Sequence, residues 1–132
     1  SLPQAQIGWL AGARDPIVGE VLALLHQTPE HPWSVAELAA RVGSSKSVVS
    51  ERFAKFLAEP PLTYLARWRM QLAARLLRST RTSIVQIAAS VGYDSEAAFN
   101  RAFKREFAVP PGRYRKKLVA VACPIVPTWR PL

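Results

Sequence analysis

The chain has 132 residues, 49% of them apolar, and a net charge of +9 from 18 basic and 9 acidic side chains. That is enough apolar side chain for one packed domain, or two small subdomains sharing a core, and it excludes a wholly disordered chain. The single cysteine, Cys123, excludes an internal disulfide and fits a reducing compartment, most simply the cytoplasm; no run approaches the ~18 apolar residues of a membrane span, and the start lacks the basic flank and long apolar stretch of a signal peptide.

Asp15-Pro16 supplies an N-cap followed by proline at the first helical position. Ile17, Val18, Val21, Leu22, Leu24 and Leu25 then form an apolar stripe at helical spacing, which Pro29 and Pro32 end. Ser34 and Glu37 form a capping box for a short helix ending at Gly43, and Ser45 caps the next one. Two helices joined by such a glycine-centred turn form a helix-turn-helix. In the second helix Val49, Phe53, Phe56 and Leu57 share one side, while Ser47, Ser50, Glu51, Ala54 and Lys55 fall largely on the other. Pro61 opens a long helix over about residues 62–78, with Leu65, Trp68, Leu72 and Leu76 on one apolar face and Arg67, Arg75 and Arg78 largely off it. A second capping box, Ser83 with Gln86, leads to Gly92, a new cap at Asp94, and a helix carrying Phe99, Phe103 and Phe107 against Ala97, Asn100, Arg101, Lys104 and Arg105. Residues 118–132 are apolar with three prolines and read poorly as any regular element. The fold class expected is all-α.

Part of this order is a repeat. Ser34–Gly43 reads SVAELAARVG and Ser83–Gly92 reads SIVQIAASVG, with five of ten positions identical at an offset of 49. Phe53–Tyr64, FAKFLAEPPLTY, and Phe103–Tyr114, FKREFAVPPGRY, keep Phe, Ala, Pro, Pro and Tyr in register at an offset of 50. A solenoid needs three or more such copies to bury a core, so two copies point to a paired device presented to one target. The charge is unequal between them. Residues 1–61 hold five basic and six acidic residues, net −1, whereas residues 62–117 hold twelve basic and three acidic, net +9. A basic domain of this kind suits a polyanion: DNA, RNA or an anionic membrane face.

Trp33-Ser34, Leu38-Ala39, Pro60-Pro61 and Tyr64, followed by Ser83-Ile84, Ile87-Ala88, Gly92-Tyr93, Phe99, Arg101, Phe103, Pro110-Pro111 and Tyr114-Arg115, resemble the AraC/XylS-type DNA-binding domain over roughly residues 15–117. The resemblance implies about seven helices, with two helix-turn-helix subdomains at residues 15–61 and 80–117 joined by a linker helix at 62–79. It also implies a role in bacterial transcription control. Residues 1–14 are then expected to be a linker from a preceding sensor domain, consistent with the absence of an initiating Met, and residues 118–132 an apolar tail. The partner implied is double-stranded DNA, read in the major groove, with no membrane and no cofactor; RNA polymerase and the sensor domain are further candidate partners.

The resemblance places base-reading positions at Ser47, Ser50 and Glu51 in the first unit and at Glu96, Ala97, Asn100 and Arg101 in the second. Arg suits guanine, Asn suits adenine, and Glu accepts from the cytosine amino group. Two such helices enter successive major grooves when they lie about 34 Å apart, so one chain would read an asymmetric site. Lys46, Lys55, Lys104, Arg105, Arg113, Arg115 and Lys116 are the phosphate-contact candidates. Bland readings stand beside these: Ser47 and Ser50 as solvated helix residues, Glu96 as a helix-dipole partner, and the basic cluster around Arg113–Lys117 as a frayed tail. Two departures from the family are Ala58 and Ala108, where glycine is common; alanine costs more in a left-handed turn, so these turns are expected to close differently. Glu51 stands where many relatives carry a basic residue, which assigns most of the affinity to the second unit.

Other function classes are weaker. His26 and His31 flank the Pro29 break with no cysteine or carboxylate cluster to complete a metal set, Cys123 has no His nearby in sequence, and no phosphate-binding glycine loop occurs, so an enzyme is not expected. RNA binding would want exposed aromatics for stacking, and these aromatics fall on apolar faces. The alternative from another class is a protein-interaction module, using the apolar stretch Val119–Trp129 with Ile7, Trp9 and Leu10.

Overall fold

Each helix N-terminus leaves backbone N–H groups without partners, and this sequence puts a short polar side chain at most of them. The computed structural model describes residues 11–122. Residues 11–14 are helical, and seven helices follow: α1 (Pro16–Gln27), α2 (Val35–Val42), α3 (Lys46–Leu57), α4 (Pro61–Ser79), α5 (Ile84–Ser90), α6 (Glu96–Phe107) and α7 (Pro111–Ala122). Among the described residues there is no strand, as expected of the fold class.

Asp15 accepts from Val18 N at 3.2 Å, Ser34 from Glu37 N at 3.1 Å, Ser45 from Val48 N at 3.2 Å and Ser83 from Gln86 N at 3.2 Å. The cap of α6 is Ser95, whose Oγ accepts from Ala98 N at 3.1 Å, and not the Asp94 expected from sequence. The physical reason is reach: Asp94 stands one residue too early, while Ser95 matches Ser45 at the repeat offset of 50. The capping box at Ser34 is only half made. The Glu37 carboxylate does not turn back to the cap but meets His31 Nε2 at 2.8 and 2.9 Å.

The two helix-turn-helix turns close with the same pair of backbone hydrogen bonds. Gly43 N bonds Ala40 O at 3.3 Å and Ser44 N bonds Ala39 O at 2.9 Å; Gly92 N bonds Ala89 O at 3.1 Å and Tyr93 N bonds Ala88 O at 2.9 Å. Gly43 and Gly92 take positive φ, 68° and 97°, which is the conformation that glycine accepts without strain. The turns after α3 and α6 overturn the expectation that alanine would make them close differently. Ala58 and Ala108 adopt the left-handed conformation that glycine would, at φ 65° and 69°, and their N–H groups bond Ala54 O and Lys104 O at 2.8 and 2.7 Å. The tail expectation also fails at its start: α7 continues through residues 118–122, because no helix breaker occurs before Pro124.

The described chain forms two units that divide inside α4, between Arg69 and Met70. The first unit buries Val18, Val21, Leu22 and Leu25 of α1, Leu38 and Ala39 of α2, Val49 and Phe53 of α3, and Trp33 and Leu65. The second buries Met70, Ala73, Ala74 and Leu77 of α4, Ile87 and Ala88 of α5, Phe99, Ala102 and Phe103 of α6, and Val91. Burying each of the valines, leucines, isoleucine, methionine and phenylalanines in these sets contributes about 1.5–3 kcal/mol, enough to hold two small cores. The buried face of α4 therefore differs from the Leu65/Trp68/Leu72/Leu76 stripe. Only Leu65 of that set is buried; Trp68, Leu72 and Leu76 are half-buried, because the helix serves two separate cores.

Matched aromatic pairs close each unit. Tyr64 packs edge-on against Phe53, with centroids 5.5 Å apart and planes at 73°, and Tyr114 packs against Phe103 at 5.2 Å and 72°. The polar ends of the two tyrosines differ. Tyr64 Oη lies 2.7 Å from His26 Nε2, whereas Tyr114 Oη accepts from Arg78 Nη1 at 3.0 Å. Burial lowers the pKa of His26, whose ring also stacks at 4.5 Å on Trp68. Trp68 Nε1 is buried with no partner among the described residues.

Candidate nucleic-acid interface

In the first unit, the Ser45 cap and the Gly43 turn launch α3 so that Val49 and Phe53 face the core. The opposite side then presents Lys46, Ser47, Glu51, Arg52, Ala54 and Lys55 as exposed residues, with Ser50 half-buried beside them. All three base-contact candidates of this unit thus lie on one helix, as do Lys46 and Lys55. Lys55 Nζ sits 5.4 Å from the centroid of the Phe56 ring.

In the second unit, the Ser95 cap and the Gly92 turn do the same for α6, with Phe99, Ala102 and Phe103 inward. Glu96, Ala97, Arg101, Lys104 and Arg105 are exposed, and Asn100 is half-buried. Asn100 Oδ1 is itself buried and has no partner among the described residues. Bidentate reading of adenine needs both ends of that carboxamide, so Asn100 must rotate before it can act in that way. Glu96 stands in the first turn of its helix, where a carboxylate also complements the helix dipole.

The phosphate-contact candidates after α6 divide. Arg113 and Lys116 are exposed on α7. Arg115 is half-buried, and its guanidinium reaches back to the end of α4, with Nε donating to Leu77 O at 3.3 Å and Nη2 to Thr80 O at 3.2 Å. Those carbonyls are the free acceptors of a helix C-terminus, so Arg115 acts there as a C-terminal cap. Arg81 was not among the sequence candidates; it is exposed in the short segment between Ser79 and the Ser83 cap. Its only sequence signal was its charge.

The two units differ in how their basic side chains are paired. In the first, Arg52 Nη1 pairs with Asp15 Oδ1 at 2.9 Å, Arg67 Nη1 with Glu59 Oε2 at 2.9 Å, and Arg41 lies 4.0 Å from Glu37 and over the Trp33 ring. Arg69 Nε and Nη2 donate to Pro29 O and His31 O at 2.7 and 2.9 Å. Four of the first unit's arginines are thereby committed within the fold. In the second unit, none of the described basic groups pairs with a carboxylate; Arg78 and Arg115 alone make the hydrogen bonds given above. Arg75, Arg81, Arg101, Lys104, Arg105, Arg113, Lys116 and Lys117 all remain exposed.

Among the described residues no group of His, Cys, Asp and Glu side chains has the arrangement of a metal site, and no helix is long and apolar enough to cross a membrane. Cys123 and the apolar residues Ile7, Trp9, Leu10 and most of Val119–Trp129 lie outside the described residues.

The family model for the helix-turn-helix domain matches residues 38–117. A protein of Streptomyces lividans named as an AraC-like transcription regulator is 48% identical over 114 residues, which cover 86% of this chain and 38% of that protein. The chain belongs to the AraC-type helix-turn-helix family. The HTH-type transcriptional regulator AlkR of Acinetobacter baylyi is 41% identical over 109 residues, covering 83% of this chain and 36% of the relative. The chain thus spans well under half the length of these relatives. Among solved structures, the DNA-binding domain of AdpA in complex with a target DNA superposes with a TM-score of 0.76 at 30% identity, covering 81% of this chain and 96% of that one. An AraC-type regulator from Chromobacterium violaceum gives a TM-score of 0.74 at 30% identity, covering 82% and 96%.

Proposed function

We propose that the chain is the DNA-binding domain of a bacterial transcription regulator, reading a double-stranded site through α3 and α6 in the major groove. The supporting observation is the duplicated helix-turn-helix, in which the second helix of each unit buries Phe53 or Phe99 and Phe103 and leaves a polar face outward. The likeness to the AdpA domain solved on DNA supports the same reading. Ser47, Ser50 and Glu51 are the proposed base contacts of the first unit, and Glu96, Ala97, Asn100 and Arg101 those of the second. Lys46, Lys55, Lys104, Arg105, Arg113 and Lys116 are the proposed phosphate ligands; Arg115 is set aside because its guanidinium is already held by Leu77 O and Thr80 O. The activity belongs to the cytoplasm, and a sensor domain in the same polypeptide and RNA polymerase are the further partners proposed.

The second unit supplies most of the affinity. Its uncommitted cations release counterions from DNA, whereas four of the first unit's arginines are compensated by carboxylates and carbonyls. Measuring binding to duplex DNA across a salt series tests both parts. The logarithm of affinity should fall linearly with the logarithm of salt, by about 0.9 for each phosphate neutralised. Neutralising Lys104 and Arg105 should flatten that slope more than neutralising Lys46 and Lys55 does, and the reverse order would refute the unequal share. Salt-insensitive binding unaffected by Arg101→Ala would refute the DNA reading itself.

A further inference from the structure

Glu51 and Arg101 occupy the same place in the two copies of the scaffold. Each is the sixth residue of a twelve-residue helix, after a serine cap at the position before the helix and ahead of an alanine in the left-handed conformation. The cores behind them match as well: Val49 and Phe53 in one unit, Phe99 and Phe103 in the other, with the tyrosine packed edge-on against each second phenylalanine. Both side chains are exposed, and neither has a hydrogen bond or ion pair within the described residues. The fold thus holds a free carboxylate and a free guanidinium at equivalent points of two equivalent faces. Their neighbours make nothing of that charge: Arg52 is turned to Asp15, and the second unit's counterpart is the buried Ala102.

We infer that these two residues read opposite members of a G·C pair at the matched position of their half-sites. Arg101 would select guanine and Glu51 cytosine. The inference rests on the DNA-binding reading above and adds to it the base each unit demands. A guanidinium donates two N–H groups to guanine O6 and N7; a carboxylate, which only accepts, is met in the major groove by the cytosine N4 amino group and repelled by guanine's two acceptors. Helices carried on the same scaffold meet the base pair in the same manner, so the half-site for the first unit has cytosine on the strand where the half-site for the second has guanine. A repeated half-site would satisfy one unit and leave the other with an unpaired charge, so the target is a pair of related but unequal half-sites.

The test is selection of bound sites from random duplex DNA by the 132-residue chain and by two single variants, Glu51→Gln and Arg101→Gln. Glutamine in the major groove pairs bidentately with adenine. The parent should enrich cytosine at one position and guanine at the matched position of the other half-site. Glu51→Gln should convert the first to adenine and Arg101→Gln the second, each discriminating on the order of tenfold, while leaving the other half-site as it was. Both residues are exposed, so unchanged thermal melts would establish that the variants remain folded. A sequence enriched by the parent that keeps its preference at either position in the corresponding variant overturns the base assignment while leaving DNA recognition standing. Failure of the folded parent to enrich any sequence overturns the underlying reading, and the assignment with it.

Discussion

Replacing Ala58 or Ala108 by glycine should make this protein more stable. Both alanines sit in left-handed turns, at φ 65° and 69°, directly after α3 and α6. There the Cβ approaches the following carbonyl, which costs an L-residue roughly 1–2 kcal/mol. Both side chains are exposed, so loss of the methyl group opens no cavity. Glycine gives back part of the gain through its greater freedom in the unfolded chain, roughly 0.4–1 kcal/mol. The balance is a stabilisation of about 0.5–1 kcal/mol per site. Because the two alanines lie in different units, the double variant should gain the sum of the two effects. Gly43→Ala is the mirror experiment. A Cβ there would meet nothing within 4 Å, so its φ of +68° supplies the whole penalty; less the same unfolded-chain offset, about 0.5–1 kcal/mol should be lost. Urea or guanidinium denaturation with unchanged slope would measure all three. If Ala58→Gly and Ala108→Gly both destabilised the chain, left-handed strain would not be what these turns carry.

Stability should also fall with acid through His26. Burial lowers its pKa below the usual 6.5, so the unfolded chain takes up the proton first; the contribution is complete above about pH 6.5 and is lost as pH falls through the lower folded value. Comparing melts at pH 7.5 and 5.5, His26→Gln should show a smaller loss than the parent, and an equal loss would exclude His26 as the cause. Asp15→Ala should cost about 1–2 kcal/mol, because one carboxylate both caps α1 and pairs with Arg52. Asp15→Asn keeps a capping oxygen and should cost under about 1 kcal/mol in the same denaturation assay; equal losses would mean that the cap contributes little.

What the sequence disclosed, and what it withheld, follows from the range of the interactions. Helix starts were legible at Asp15, Ser34, Ser45 and Ser83 because a cap bonds a backbone group only three residues ahead. The repeat made the recognition faces legible, since the apolar spacing of Val49/Phe53 and Phe99/Phe103 fixes which side is left over. Asp94 competed with Ser95 as a cap of equal chemistry one residue away, and only the repeat register separates them. The apolar face of α4 reads as a single stripe in the sequence because periodicity along one helix carries no sign that its halves belong to different cores. Longer-range polar partners left no local trace. His31 takes the Glu37 carboxylate from the capping box, and Arg115 reaches 38 residues back to Leu77 O.

Those long-range polar contacts are also where the duplicated units part company. The apolar scaffold is kept: the same phenylalanine–tyrosine geometry, the same turns, the same alanine ends. The polar fastening is not. The first unit ties its tyrosine to His26 and three of its arginines to Asp15, Glu59 and the carbonyls of Pro29 and His31. The second ties Tyr114 to Arg78 and caps α4 with Arg115, leaving its other described cations exposed. Apolar burial supplies most of the folding free energy, whereas exposed ion pairs supply about 0–1 kcal/mol each. Exchanging one polar fastening for another therefore costs little stability, yet each exchange changes how much positive charge a unit can offer to DNA. A duplicated core with divergent fastening keeps two matched scaffolds in one chain and leaves them with unequal amounts of unpaired positive charge.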